Sequence, residues 1–283
     1  MRQELIDVVR SGLAERYRVE RFLGKGGMAT VFLAEDVSTG DQVALKVLNR
    51  SLATRIMRER FEREVAVGCS LGHPNIVPTS SGGEVADMPF LVMPYLPGDS
   101  LRQRLEKTER LNVTEAVAIG REIAEALVCA HGAGIIHRDI KPDNILFSNG
   151  HAMVTDFGVA VAIKASMDDR LTTPGEVLGT PTYMSPEQAM GRFRLDARTD
   201  IYSLGCVIYE MLIGTPPFRP SHPDAVIVRR LDDPAPSASE QRPEIPKRIE
   251  AAVRKALEWK PEERFATAEE LRDELTVGGG GPP

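Results

Sequence analysis

The stretch His137–Gly158 reads HRDIKPDNILFSNGHAMVTDFG. Asp139 comes first, Asn144 follows five residues on, and Asp156 stands near the end. Between Asn144 and Asp156 lie the apolar run Ile145-Leu146-Phe147, the polar Ser148-Asn149-Gly150 and a second apolar pair, Met153-Val154. Two short apolar runs around an Asn-Gly pair predict a hairpin. Its closed ends set Asn144 and Asp156 side by side, with Asp139 on the adjoining loop. Two oxygen ligands suit a Mg²⁺ ion bound jointly by protein and phosphate. The spare carboxylate can orient a hydroxyl nucleophile and take its proton.

Working outward, 283 residues that are 42% hydrophobic are enough for a large core in one or two domains. The formal charge of −6 lacks the basic surplus of a nucleic-acid binder, so no nucleic-acid partner is expected. Cys69, Cys129 and Cys206 lie far apart with no metal-ligand spacing. They read as buried free thiols in a reducing, cytoplasmic setting. The opening Met1-Arg2-Gln3-Glu4 leads into a charged amphipathic segment and not a signal peptide. The longest apolar run, Ile201 to Ile213, contains Glu210 and is too short to span a bilayer. No membrane segment is expected in this chain.

Leu5, Ile6, Val8, Val9 and Leu13 recur at near-helical spacing and predict a short helix over 2–13, packed on the adjoining strands. Strands are expected at Tyr17 to Leu23 and Val31 to Glu35, joined through Gly24-Lys25-Gly26-Gly27-Met28-Ala29-Thr30. Glycines let backbone pass close over phosphates and present N–H groups to them. Taken alone, the loop is equally a hairpin tip without a ligand. Gln42 to Val47 is a third strand, and Lys46 inside it needs either a partner or a route to solvent. A charged helix from Ala53 to Gly68 comes next, then a strand at Phe90 to Met93 and a hinge at Pro94–Gly98. From about Leu111 the chain turns helical, with Asn112 and Glu115 at capping-box spacing. Residues 159–187 show little periodicity, and a loop of that length tends to be functional. Asp200 to Ile213 is the most apolar helix and the expected hub of its lobe.

His137-Arg138-Asp139 with Asn144, followed by Asp156-Phe157-Gly158, resembles the catalytic loop and metal-binding motif of the eukaryotic-type (Hanks-type) protein kinases. Matching motifs run in order over about residues 17–275. The resemblance implies an α+β, two-lobed fold. A 1–16 extension precedes a kinase domain at 17–275, and a flexible tail covers 276–283. Within the domain, a small mainly-β lobe with one regulatory helix (17–93) and the hinge (94–98) lead to a large mainly-α lobe (99–275). Lys141, two residues after Asp139, implies the serine/threonine branch, and Gly-Gly-Met-Ala-Thr-Val resembles its bacterial members.

The implied chemistry transfers the γ-phosphate of ATP to protein Ser or Thr hydroxyls, with Mg²⁺ (Mn²⁺ as an alternative) held by Asn144 and Asp156. Asp139 meets the hydroxyl, Lys141 offsets charge on the transferred group, and Lys46, paired with Glu64, holds the α- and β-phosphates. The ATP site implied comprises Leu23, Gly24, Lys25, Gly26, Gly27, Met28, Ala29, Thr30, Val31, Ala44, Lys46, Pro94, Leu96 and Leu146. Ala29 stands where a third glycine is usual, and Ser185 where alanine is familiar before Pro-Glu. Pro94 keeps the hinge carbonyl that would accept from adenine. By the same resemblance Arg138 receives a phosphorylated loop residue, with Thr172 or Thr173 as acceptor, and Thr180 contacts Asp139 and Lys141. Asp200 would tie the catalytic loop to its helix, and Arg264 would pair with Glu187. The partners implied are protein substrates and a second copy of the chain for autophosphorylation. Two rivals stay open: a pseudokinase scaffold, which would lack one of the catalytic residues, and a small-molecule phosphotransferase, which would lack the long segment ending in Pro-Glu.

Overall fold

The alternation of buried and exposed residues in Tyr17–Val19 and the apolar runs of the next strands build a five-stranded antiparallel sheet. The computed structural model describes residues 2–26, 29–50, 69–157, 181–191, 195–218 and 235–276. Helix α1 (Arg2–Leu13) leads into β1 (Tyr17–Lys25), β2 (Ala29–Asp36), β3 (Gln42–Leu48), β4 (Ser81–Val85) and β5 (Met88–Pro94). The sheet order is β1-β2-β3-β5-β4. Val43, Leu45 and Val47 point to one face, where they join Phe32, Ala34, Phe90 and Val92 in a single core. Ala44 and Lys46, being one residue out of phase, point to the other.

Helix α1 closes the core face. Its Ile6, Val9 and Leu13 are buried there, each contributing about 1.5–3 kcal/mol. Gly12 permits the approach, since a Cβ at that position would stand 2.5 Å from Val85 Cγ2. The sequence periodicity located this helix. It did not reveal β4, whose Ser81-Gly82-Gly83-Glu84 carries no apolar alternation. Gly83 faces Phe90 across the pair, and a side chain there would meet the ring at 3.0 Å.

A second compact unit carries the helices and a small hairpin. It comprises α2 (Leu101–Thr108), α3 (Val113–Gly132), β6 (Ile145–Ser148), β7 (His151–Val154), α4 (Pro186–Ala189), α5 (Arg198–Ile213), α6 (Ala238–Gln241), α7 (Lys247–Ala256) and α8 (Ala268–Glu274). Asn112 caps α3 as expected, its side chain accepting from Glu115 N at 2.8 Å. Residues Thr199 to Leu212 of α5 are all buried, so this helix is the hub around which α3, α7 and α8 pack.

Among the described residues, no helix is long and apolar enough to cross a membrane. The expectation of buried thiols holds for Cys206 alone. Cys129 is partly covered, and Cys69, followed by the polar and likewise exposed Ser70, is exposed.

Candidate active site

The predicted hairpin forms with Ile145 opposite Val154 and Ser148 opposite His151. Asn149 and Gly150 turn the chain with φ of 52° and 86°, the left-handed pair that a two-residue turn of this kind requires. Thr155 N donates to Asn144 O at 3.0 Å, so the hairpin's open end joins Asn144 to the residue before Asp156. Asp156 itself has φ 70°, a costly conformation for a non-glycine residue and one that clusters at functional sites.

Asp139, Lys141 and Asn144 come together on the loop before β6. Lys141 Nζ donates to Asp139 Oδ2 at 2.6 Å, and Asn144 Nδ2 donates to the same oxygen at 3.1 Å and to Asp139 O at 2.8 Å. Asp139 Oδ1 has no partner among the described residues. The carboxylate is thus fixed through one oxygen and open at the other, with its side chain 40% exposed. Asn144 is buried and uses its amide N–H₂ on Asp139, which leaves its Oδ1 to accept or to ligate. Asn144 and Asp156 fit a divalent cation shared with phosphate. Two hard oxygen donors from the protein are the number such a site uses, and the substrate and water supply the rest.

His137 is fully buried and had no role in the sequence reading. Its Nε2 donates to the Thr155 carbonyl at 2.9 Å, and its Nδ1 accepts from Asp139 N at 3.2 Å. These two bonds place the ring proton on Nε2 and link Asp139 to the hairpin end. Asp200, also fully buried, accepts from His137 N at 2.8 Å, Arg138 N at 2.7 Å and His131 Nε2 at 2.9 Å. It therefore anchors the loop backbone to α5, as the resemblance implied. Arg138 has φ 67°, a strained turn held at both ends by Asp200 on its N–H and by Gln188 Nε2 on its carbonyl.

Gln188 belongs to the segment at which the unpatterned loop ends. Ser185 caps α4 reciprocally with Gln188, which explains its presence where alanine is familiar. Glu187 is buried against Arg264, whose two terminal nitrogens each donate at 2.8 Å, one to each carboxylate oxygen. Tyr183 donates its hydroxyl to Glu210 of α5, and Arg102 of α2 donates to both. Burial, and then the Glu210 charge, push the Tyr183 phenol far above its ordinary value, so it stays a donor. Tyr183→Phe leaves one Glu210 oxygen short of a buried donor. It should lower unfolding free energy by about 1–3 kcal/mol in chemical denaturation.

In the first unit, Val31 stands directly opposite Lys46 and Gly24 opposite Val31. Val31, Ala44 and Lys46 thus share the sheet face opposite helix α1. Gly26 N donates to Ala29 O at 2.9 Å and closes the base of the glycine-rich tip. Leu23 lies at an irregularity of β1, and Lys25 pairs with Thr30. Thr30 is paired with Val47 and so turns toward the core face. At the end of β5, Pro94 pairs with Val43, and among the described residues the Leu96 N–H has no acceptor. Leu146 lies in β6 of the other unit. Gly27, Met28, Glu64, Thr172, Thr173 and Thr180 lie outside the described residues.

The family model described as "Protein kinase domain" matches residues 17–275. The chain belongs to the protein kinase family. The chain is 41% identical over 279 residues to the serine/threonine-protein kinase PknB of Mycobacterium leprae, covering 96% of this chain and 44% of that protein. It is 40% identical over 281 residues to PknB of Mycobacterium tuberculosis, with the same coverage. It is 39% identical over 277 residues to a probable serine/threonine-protein kinase of Streptomyces coelicolor, covering 96% of this chain and 41% of that one. The chain therefore spans less than half the length of the curated relatives it matches.

Proposed function

We propose that this kinase domain transfers the γ-phosphoryl group of ATP to serine or threonine hydroxyls of proteins, on the cytoplasmic side of any membrane its full-length protein meets. The observation that carries the reading is the Asp139 carboxylate, tethered at Oδ2 by Lys141 and Asn144 and open at Oδ1. An acceptor hydroxyl approaching Oδ1 is oriented by it and passes its proton there as the hydroxyl oxygen bonds to the γ-phosphorus. The bond from that phosphorus to the β-bridging oxygen breaks, and ADP leaves. Lys141 holds the carboxylate in place and offsets charge on the moving group. Asn144 Oδ1 and Asp156 would hold Mg²⁺ or Mn²⁺, which supplies neutralisation of the phosphates. Lys46, Val31, Ala44 and the Gly24–Ala29 loop bind the nucleotide, and positioning and electrostatics account for most of the rate.

The same reading extends to regulation. Arg138 Nε is buried with no hydrogen-bond partner among the described residues, although the arginine's backbone is fixed on both sides. An unsatisfied guanidinium nitrogen beside Asp139 suits a phosphorylated loop residue, which brings about −1.5 to −2 charge. Thr172 and Thr173 are the acceptors we assign, phosphorylated by a second copy of the chain. The Thr172→Ala/Thr173→Ala protein should lose most activity toward a generic protein substrate, and the Asp139→Asn protein should emerge from the same host unphosphorylated. Peptide mass spectra of the three proteins, with labelled-ATP assays, check this. A fully active enzyme with an unmodified loop rules the mechanism out. Absence of transfer to any protein, with transfer to a small-molecule panel, would overturn the kinase assignment itself.

A further inference from the structure

Helix α1 precedes the 17–275 span matched by the family model, yet it grips the strand that feeds the glycine-rich loop. Arg10 Nε donates to Val19 O at 3.0 Å, and Arg10 Nη2 donates to Glu20 O at 2.7 Å. These carbonyls bracket an irregularity in β1. Val19 pairs with Ala34 and Arg21 pairs with Leu33, so Glu20 is one residue more than β2 can match. The extra residue inverts the facing of Arg21 and Phe22 and sets the phase in which the strand reaches a second irregularity, at Leu23. Before it, Tyr17 and Val19 face the core; after it, Phe22 does, opposite Phe32. Without the bulge at Glu20, and with the irregularity at Leu23 kept, Arg21 would enter the core, Phe22 would leave it, and Leu23 to Gly26 would turn over with them. A bulge takes carbonyls out of the regular ladder, and the planar fork of a guanidinium can satisfy two at once.

We propose that Arg10 is a positioning residue for the glycine-rich loop: by holding the Val19 and Glu20 carbonyls it fixes the β1 bulge and so the facing of Leu23–Gly26 toward nucleotide phosphates. The inference rests on the reading of that loop as the nucleotide's cover. Ile6, Val9 and Leu13 seat the helix; Arg10 transmits its position to the strand.

The full chain, Arg10→Ala, Arg10→Lys and Met88→Ala are compared. Met88 lies in the same core but on β5, away from the bulge, and reports general loosening. Amide hydrogen exchange without nucleotide should quicken at residues 20–26 in Arg10→Ala, with β3 and β5 unchanged. The KM for ATP should rise about fivefold to tenfold, with kcat and the peptide KM within about twofold. Arg10→Lys, able to serve one carbonyl well, should fall between. Met88→Ala should lower the unfolding midpoint at least as much and leave the KM for ATP unmoved. Unchanged exchange at 20–26, a fall in kcat with constant KM, or an equal KM rise in Met88→Ala would each overturn the proposal. A wild-type chain with no ATP affinity would sink the nucleotide reading instead. The exchange measurement separates that failure from failure of the Arg10 clamp.

Discussion

Asp139→Asn should lower kcat by about two to four orders of magnitude while leaving nucleotide affinity within about twofold, the range a positioned general base contributes. The expectation follows from which oxygen is tethered. Lys141 Nζ and Asn144 Nδ2 both donate to Oδ2. In the variant the amide carbonyl must take that place, because its N–H₂ would face two donors. The N–H₂ then occupies the open position, where the acceptor hydroxyl needs a proton acceptor and an orienting lone pair. The backbone bonds that hold the loop, from His137 N and Arg138 N to Asp200, do not involve this side chain and survive. Fold and nucleotide binding should therefore be spared. Asp156→Asn is the contrasting case: it should weaken Mg²⁺–ATP binding, since a ligand charge is lost. Steady-state kinetics with labelled ATP, beside calorimetric titration of the nucleotide, distinguish the two. Turnover in Asp139→Asn within about tenfold of wild type would remove Asp139 from the base role.

The parts of this site that were legible in the sequence are those whose chemistry is local. Asn144, Asn149-Gly150 and Asp156 lie within one hairpin, and turn chemistry alone brings its ends together. Helix α1 was equally legible, because burial of Ile6, Val9 and Leu13 leaves a periodic trace. What could not be read are pairings made by tertiary packing. Arg102 and Glu210 are 108 residues apart, and nothing near either names the other. A signal did exist. Glu210 lies inside the most apolar helix of the chain, and a buried carboxylate demands a partner. In the sequence that residue served only to argue against a membrane span. His137 was obscured for a different reason: its role runs through backbone atoms of Asp139 and Thr155, which leave no mark on side-chain patterns. The bulge at Glu20 was invisible because Arg21 and Phe22 read as one unbroken strand with Tyr17 and Val19.

Arg264→Ala should cost about 3–5 kcal/mol of unfolding free energy at neutral pH, the range for breaking a buried ion pair by removing one partner. Arg264 is fully enclosed and serves more than Glu187. It also donates to the carbonyls of Glu258 at 2.7 Å, Trp259 at 2.8 Å and Arg198 at 3.0 Å. Its loss leaves Glu187 a buried anion with only neutral donors beside it, the hydroxyls of Thr199 and Ser185 among them. Lysine cannot replace the two-pronged contact, so Arg264→Lys should recover little.

The pH dependence has a definite sign. Burial pushes the Glu187 carboxyl up, but the Arg264 hydrogen bonds and charge outweigh it and hold the group below its ordinary 4.5. A depressed folded pKa stabilises fully above the unfolded value, and that stabilisation fades as pH falls through the folded one. In Arg264→Ala the largest opposing causes are gone and burial is set against neutral hydrogen bonds alone, so Glu187 takes up its proton at higher pH than in the wild type. The variant is then relieved of its buried charge on acidification while the wild type is losing its pair. The stability gap should therefore narrow between pH 7 and pH ~4. A Glu187→Leu/Arg264→Met double variant, with neither charge left buried, should be more stable at pH 7 than Arg264→Ala. Urea denaturation of the three proteins at both pH values measures this. A gap under about 1 kcal/mol at pH 7, or one that widens in acid, would mean the pair does not hold the Pro186–Ala189 helix to its unit. Catalysis should track stability here. Gln188, the next residue, supports the strained Arg138 turn through its carbonyl, so release of Glu187 loosens the loop that presents Asp139.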